Sequence, residues 1–188
     1  MPDRIANIIV LTEDTEQRNL VRRYLERCRH DTRSVRFEPL PAQGPGGSGE
    51  KYVRDNYAKQ VRACRSSLGK RASALLVVMV DANGDTTQRR ASQLSEALQV
   101  AGEGERSTDE PIVVLIPKRH VETWIRALLG MPADEATDYT KAPYRPPTAG
   151  DIKKSAATLY EHTRLGTALP GAFPPSLTAS IPEWQKIP

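Results

Sequence analysis

The sequence predicts an α/β fold: a Rossmann-like, mainly parallel sheet with helices on both faces. Short apolar runs alternate at least four times with longer segments of helical periodicity, and this alternation is typical of parallel sheets. The three clearest runs, at 5–11, 75–80 and 111–116, are almost wholly apolar. They lack the polar alternation of a strand with one face in water, so we expect them to be buried on both faces.

Each predicted element follows from its hydrophobic period. The chain order is strand 5–11, helix 15–29, a weaker strand 35–40, helix 51–68, strand 75–80, helix 87–100, strand 111–116, helix 121–129 and helix 152–164. Thr12 or Asp14 is expected to cap the first helix, and Asp151 the last, because short polar side chains accept from free amides at helix starts.

Length and composition favour a single domain over 1–188, with a core at about 4–130. A C-terminal helix and tail occupy 131–188. Five prolines fall in the last twenty residues, so the end of the chain is predicted to be irregular. Its possible anchors to the core are apolar and aromatic: Phe173, Leu177, Ile181 and Trp184.

The net charge and the two cysteines limit which partners and which cellular compartment can be expected. A net charge of +4 and a pI of about 9.2 permit a nucleic-acid partner without requiring one. Cys28 and Cys64 have no metal-binding spacing and are expected to be free thiols in a reducing compartment. The first residues lack the apolar core of a signal peptide. We therefore predict a cytoplasmic protein with no membrane partner.

Acidic residues follow the predicted strands. Asp81, Asn83 and Asp85 come directly after the strand at 75–80, and Glu13 follows the first strand. Glu122 comes after the third. Parallel strands share one carboxyl edge, so these side chains are expected to converge. Their oxygens suit Mg²⁺ or Mn²⁺.

Other interpretations of the same residues stay open. The 81–85 segment also fits an Asx-rich turn in which Asp85 caps the next helix. Strand-end aspartates also occur in metal-dependent phosphatases and in receiver-like phosphoacceptor domains, where Lys118 could serve as the late lysine. The glycine-rich stretch at 44–51 is not a phosphate loop, because Glu50 stands where the pattern requires lysine.

Basic side chains on the predicted helices are candidate nucleic-acid contacts. Charged helix faces are mostly solvated surface, but clustered cations also suit phosphate groups. No aromatic stacking platform of the kind used by single-strand binders is visible in the sequence. The candidate contacts are Arg18, Arg22, Arg54, Arg62 and Lys118.

Two of these motifs resemble the Toprim (topoisomerase–primase) family. They are Val-Leu-Thr-Glu at 10–13 and Met-Val-Asp-Ala-Asn-Gly-Asp at 79–85. Glu-Thr-Trp at 122–124, and the later pairs Pro-Ser at 175–176 and Glu-Trp at 183–184, are similar to small Toprim-like proteins found beside ATPases in prokaryotic defence loci. Those proteins are relatives of the overcoming-lysogenisation-defect nucleases.

The resemblance implies a metal-dependent nuclease that acts on nucleic acid, DNA in preference to RNA, with an ATPase partner in antiviral defence. It implies catalytic roles for Glu13, Asp81 and Asp85. The same three residues, with Asn83 and Glu122, would hold Mg²⁺ or Mn²⁺. In an alternative role, Glu13 is a general base and Glu122 holds a second ion.

The sequence departs from the family pattern at two positions. The glycine that usually follows the first glutamate is Asp14 here, and the middle acid of the later loop is Asn83. The second change removes one negative charge from the metal loop. A degenerate, non-catalytic Toprim-like module that binds an ATPase or nucleic acid is therefore the alternative function.

Overall fold

A computed structural model of the protein describes residues 5, 7–33, 35–41, 48–69, 73–168 and 171–188. Residues 42–47, which include the first part of the glycine-rich stretch at 44–51, lie outside the described ranges. The elements are β1 Asn7–Thr12, α1 Thr15–Arg27, β2 Val35–Phe37, α2 Gly49–Gly69, β3 Ala74–Met79, α3 Thr87–Val100, β4 Ile112–Leu115, α4 Val121–Leu128, α5 Ala149–Leu165 and α6 Pro175–Gln185.

The four strands form one parallel sheet in the order β2-β1-β3-β4. The predicted fold class, a Rossmann-like parallel sheet with helices on both faces, is confirmed. β1 pairs with β3 over their whole lengths, from Asn7 with Ala74 to Thr12 with Met79. The chain leaves β1 for β2 on one side and later crosses to β3 on the other. The strand order therefore reverses between β1 and β3. Folds of this class bind ligands in a crevice at the carboxyl ends beside such a point, and we refer to this position as the crevice.

Alternate residues of the buried strands face two hydrophobic clusters. Leu75, Val77 and Met79 of β3 pack beneath α1, α4, α5 and α6. Leu76 and Val78 face α2 and α3 on the opposite side of the sheet. Every β3 residue is buried, and each such aliphatic side chain contributes about 1.5–3 kcal/mol when removed from water. Burial on both faces explains why this strand reads as an uninterrupted apolar run.

The helix ends agree with the sequence in part. Asp14 is the N-cap of α1, and its side chain accepts from the Gln17 amide at 2.8 Å, as predicted. The prediction that Asp151 caps the fifth helix is wrong. Thr148 is the N-cap of α5, and Asp151 stands three residues inside it as the second half of a capping box.

The C-terminal segment differs from the irregular tail that its prolines predict. It contains α6, which begins with Pro175 in its first turn and holds Pro182 inside. A proline is tolerated at a helix start, because the amide it lacks would be unpaired there anyway. Leu177 and Trp184 are fully buried, so these two predicted anchors belong to a helix that packs on the sheet. Ile181 on the same helix, and Phe173 before it, pack partly buried against the same cluster.

α6 also covers the outer edge of β4. Glu183 on α6 accepts a hydrogen bond from the backbone N–H of Val114 at 2.8 Å. It pairs with Arg106 at 2.9 Å, and Arg106 donates to the carbonyl oxygen of Ile112 at 2.7 Å. One ion pair thus satisfies a donor and an acceptor that an edge strand would otherwise leave open to another chain.

Two findings bear on the expected environment of the protein. No helix in the described ranges is both long enough and apolar enough to span a bilayer. Cys28 and Cys64 are free thiols, as predicted, and Cys64 is buried.

Replacing Glu183 with alanine is expected to destabilise the fold by about 1–3 kcal/mol, because Val114 N–H and Arg106 both lose a buried partner. Urea unfolding followed by circular dichroism measures this change. Glu183→Gln keeps an acceptor for Val114 and should cost less. The exposed Glu96 on α3 provides the control, Glu96→Ala, and equal losses in the two alanine variants would contradict the edge-capping role.

Candidate functional site

Two carboxylates lie at the carboxyl ends of β1 and β3, and one of them contacts the backbone of the other. Glu13 is the first residue after β1, and Asp81 lies two residues after the end of β3. Glu13 Oε1 accepts a hydrogen bond from the backbone N–H of Asp81. Asp81 is only 3% exposed. The structure therefore brings these two predicted site residues together at the strand edge where the sequence placed them.

Gln17 fixes the relative position of the two acids. Its side-chain oxygen accepts from the backbone N–H of Glu13 at 3.1 Å, and its amide nitrogen donates to Asp81 Oδ1 at 2.9 Å. Gln17 is fully buried in the first turn of α1. A buried glutamine that uses both ends of its amide holds its partners in one geometry.

A buried arginine lies close enough to the pair to affect both charges. Arg90, on α3, is 6% exposed and forms an ion pair with Glu50 at the start of α2. Burial raises the pKa of Glu13 and of Asp81, and the positive charge of Arg90 opposes that rise without cancelling it. Arg90 also donates to Gln93 at 2.7 Å.

The start of α2 closes tightly over Glu13. A Cβ atom added to Gly49 would lie 2.8 Å from Glu13 Cβ and 3.2 Å from Glu13 Oε2. Only glycine permits this approach, which brings the positive end of the α2 dipole near the Glu13 carboxylate.

Burial and mutual repulsion dominate the electrostatics of the acids. Burial, then the charge of Asp81, raises the pKa of Glu13 to about 8. Burial, then Asp14 and Glu122, raises the pKa of Asp81 well above its ordinary value. The pKa values of Asp14 and Glu122 are also raised, in each case chiefly by burial. Arg90 therefore compensates the acids only in part, and a further cation would favour their ionised forms.

His120 links Asp81 to a second aspartate. Its Nδ1 lies 3.3 Å from Asp81 Oδ2, and its Nε2 lies 3.7 Å from Asp138 Oδ1. Asp138 is also paired with Lys141 at 3.0 Å and with Arg119 at 3.6 Å. Thr140, then Lys141, holds the pKa of Asp138 well below its usual range. The imidazole of His120 is thus held between Asp81 at one ring nitrogen and Asp138 at the other.

The side chain of Asp85 contacts residues close to it in the sequence. One of its carboxylate oxygens accepts from the Thr86 amide at 2.8 Å, and the other pairs with Arg89 at 3.2 Å. Asn83 is exposed, with a φ of 53°, and Gly84 follows with a φ of 84°. Asparagine tolerates this left-handed conformation better than most residues. The turn interpretation of 81–85 therefore describes Asn83 and Asp85, whereas Asp81 lies inside the crevice.

Glu122 lies on the same side as the acidic pair. It is in the first turn of α4 and half-buried, and its charge raises the pKa of Asp81. Asp14 contributes its charge in the same way, but its side chain also caps α1. Both residues are near enough to act on the crevice electrostatically.

The predicted nucleic-acid contacts divide into paired and unpaired cations. Arg54 pairs with Glu50 at 3.0 Å. Lys118 lies 3.9 Å from Glu135. Arg62 pairs with Glu103 at 2.6 Å and donates to the carbonyl of Ala101, just past the far end of α3, so it lies away from the crevice. Arg18 and Arg22 instead pack against the ring of Phe37.

The donor set fits Mg²⁺ or Mn²⁺ with few protein ligands. In the part of the chain that the structure describes, no three Asp, Glu, His or Cys side chains are grouped closely enough to hold an ion alone. Mg²⁺ commonly takes one or two carboxylates, with water and phosphate oxygens completing its octahedron. Glu13 and Asp81 supply that number of hard oxygen ligands.

Sequence reasoning missed Gln17 and Arg90, although a signal was present. Gln17 continues the α1 stripe of Leu20 and Val21, and Arg90 precedes Leu94 by one turn on the buried face of α3. A polar residue within an apolar helical stripe indicates a buried partner, since burial without one is costly.

The fold and the site define an α/β protein with a buried acidic pair at the switch point of a parallel sheet. No protein-family model, curated protein or solved structure matches the chain. The resemblance to the Toprim family therefore stays a prediction from motifs.

Gly49→Ala is expected to destabilise the protein by about 1–3 kcal/mol, because the new methyl group would overlap Glu13. Thermal or urea unfolding measures the loss. Gly104→Ala is the matched control, since an added Cβ there meets nothing within 4 Å. A loss at Gly49 no larger than that at Gly104 would show that α2 does not press on Glu13.

Glu13→Gln is expected to flatten the pH dependence of stability in metal-free protein. The folded state raises the Glu13 pKa to about 8, so it binds a proton that the unfolded chain releases near pH 4.5. The free energy of unfolding should therefore be highest at low pH and fall between about pH 4.5 and 8, by on the order of 3 kcal/mol from this residue.

Urea unfolding at pH 5, 6.5 and 8 in the presence of a chelator tests this expectation. Glutamine keeps the acceptor for Asp81 N–H, so the variant should gain stability relative to the native protein as the pH rises. Glu96→Gln, on the exposed face of α3, controls for loss of a carboxylate. Parallel pH profiles of Glu13→Gln and the native protein would refute the raised pKa.

Proposed function

We propose that the protein is a Toprim-like, Mg²⁺- or Mn²⁺-dependent nuclease that cleaves phosphodiester bonds. The observation that carries this proposal is the buried contact between Glu13 and Asp81 at the carboxyl edge, with the pKa of each raised. Burying two such acids together is costly unless a cation joins them. A crevice at the switch point of a parallel sheet is also where this class of fold binds ligands.

Each residue has a definite part in this proposal. Glu13 and Asp81 hold the ion through carboxylate oxygens, and Gln17 keeps the two acids in register. His120 orients Asp81 from the solvent side. The bound ion polarises a phosphoryl oxygen and makes its coordinated water more acidic. Glu122 lies within electrostatic range for a second ion.

The wider setting of the proposal rests on motif resemblance. The similarity at 122–124, 175–176 and 183–184 to Toprim-like proteins beside ATPases supports an ATPase partner and a role in antiviral defence. A cytoplasmic location is proposed from the two free thiols and from the first residues, which lack the apolar core of a signal peptide. DNA is the first substrate to test, followed by RNA. The mildly basic net charge of +4 is compatible with both polymers.

A non-catalytic Toprim-like module is the second candidate, and the position of Asp85 favours it. That carboxylate is engaged by Thr86 and Arg89, and Asn83 adds no charge. Of the three acids to which the resemblance gives catalytic roles, Glu13 and Asp81 lie together, whereas Asp85 is engaged elsewhere. Such a module would keep the ATPase or nucleic-acid partner without cleaving.

A cleavage assay with purified protein tests the nuclease. Supercoiled plasmid and single-stranded RNA are incubated with Mg²⁺, Mn²⁺ or chelator, with and without a candidate ATPase taken from the neighbouring genes. Asp81→Asn should reduce the cleavage rate by at least about 100-fold, because an ion loses a charged ligand. Asp85→Asn should reduce it by less than about tenfold.

Asp55→Asn is the control, because Asp55 is exposed on α2 and paired only with Lys51 at 2.7 Å. Cleavage by Asp81→Asn at the native rate would refute the catalytic site. Absence of cleavage by the native protein, together with no heat of Mn²⁺ binding at millimolar concentration and a stable complex with the ATPase, would favour the non-catalytic module.

A further inference from the structure

Two arginines lie side by side at the β2 edge of the sheet. Arg18 and Arg22 are one turn apart on α1, and their guanidinium carbons lie 5.9 and 4.6 Å from the centre of the Phe37 ring. Phe37 is the last residue of β2. All three side chains are partly exposed. We call Arg18 and Arg22 the arginine pair. Phe37 provides the ring that both of them contact.

Within the described ranges, no carboxylate compensates the arginine pair. Arg18 donates to the backbone carbonyl of Glu38, whereas the Glu38 carboxylate pairs with Arg36 at 2.8 Å. The Nε atoms of Arg18 and Arg22 are buried without a hydrogen-bond partner among the same residues. Burial, then repulsion from Arg22, lowers the pKa of Arg18.

Most other arginines of the described chain are arranged differently. Ion pairs with carboxylates are made by Arg23, Arg36, Arg54, Arg62, Arg65, Arg89, Arg90, Arg106, Arg119 and Arg145. Two neighbouring guanidinium groups without a counter-charge, held against a ring, create a local positive potential that an anion would relieve.

The arginine pair lies beside the acidic crevice. Phe37 pairs with Val10 on β1, and Glu13 follows three residues later, roughly 10 Å along the strand. Tyr52, on the first turn of α2, feels the charges of both Arg18 and Glu38. The same helix begins at Gly49, which presses on Glu13. The arginine pair and Glu13 therefore lie at the carboxyl ends of neighbouring strands, with the start of α2 near both.

We infer that Arg18, Arg22 and Phe37 form a binding site for a backbone phosphate of a polynucleotide. The planar guanidinium fork matches two phosphate oxygens, and the Phe37 ring holds Arg22 in place before the ligand arrives. The strand then crosses the β1–β2 side of the crevice, with a neighbouring phosphate near Glu13. This inference rests on the nucleic-acid part of the proposed function, but binding requires neither a metal ion nor cleavage.

The site is tested by fluorescence anisotropy with a labelled oligothymidylate in chelator, where cleavage cannot occur. Arg22→Met keeps the packing on Phe37 and removes the charge. It should weaken binding by about tenfold and reduce the slope of log affinity against log salt by about 0.7, the loss of one single-strand phosphate contact. Arg22→Lys should retain the slope.

Arg23→Met is the matched control, because Arg23 adjoins Arg22 in sequence but pairs with Glu26 at 2.8 Å with 41% of its side chain exposed. Circular dichroism confirms that each variant is folded. Equal losses in Arg22→Met and Arg23→Met, or no binding by the native protein, would overturn the site. Cleavage, assayed separately, decides the nuclease independently.

Inorganic phosphate and thymidine monophosphate serve as competitors and distinguish the sources of the phosphate. Weak competition, at millimolar concentrations only, supports a polynucleotide site in which several phosphates contribute. Full competition by inorganic phosphate at the oligonucleotide's own affinity would assign the pair to a small free anion and overturn the inference.

Discussion

Two carboxylates share a space from which the sheet and three helices exclude most water. The contact between Glu13 and the Asp81 segment sets the demands on its surroundings, because like charges in a buried site repel and lack hydration. Gln17 supplies a hydrogen bond and Arg90 a positive charge to the acids. Each stands on a helix whose other buried residues are apolar or aromatic. The tight start of α2 at Gly49 follows from the same geometry. The residues at three separate places, Gln17, Gly49 and Arg90, are thus explained by one pair of acids.

Burying polar residues beside the two acids lowers the stability of the fold. A buried polar residue in an apolar helical stripe contributes less to folding than the leucine that could stand there. Gln17 and Arg90 are two such residues; Gln17 hydrogen-bonds Asp81, and the charge of Arg90 acts on it. The cost is offset by a core on each face of the sheet. A rigid sheet with a destabilised edge is a general design for sites that must bind charged ligands.

The sequence was sufficient for the fold because strand burial and helical period are local signals. β3 and α3 were recognised within one residue, and parallel pairing followed from their alternation. Strand-end reasoning also located Glu13 and Asp81. It could not orient Asp85, because that depends on the left-handed turn at Asn83 and Gly84. The helix at Pro175–Gln185 was hidden by its prolines. The contact of Arg22 with Phe37 joins α1 to β2 across a loop, and no pattern within either element encodes it.

The ion pair of Glu183 with Arg106 has a consequence for how the chain is made. β4 precedes α6 by two intervening helices. A nascent chain that has already assembled its sheet therefore presents the open side of β4 until α6 emerges from the ribosome. During that interval the edge is available to other unfinished chains. Translational pauses between α4 and α6 would prolong this exposure, whereas rapid completion brings Glu183 to the Val114 amide and ends it.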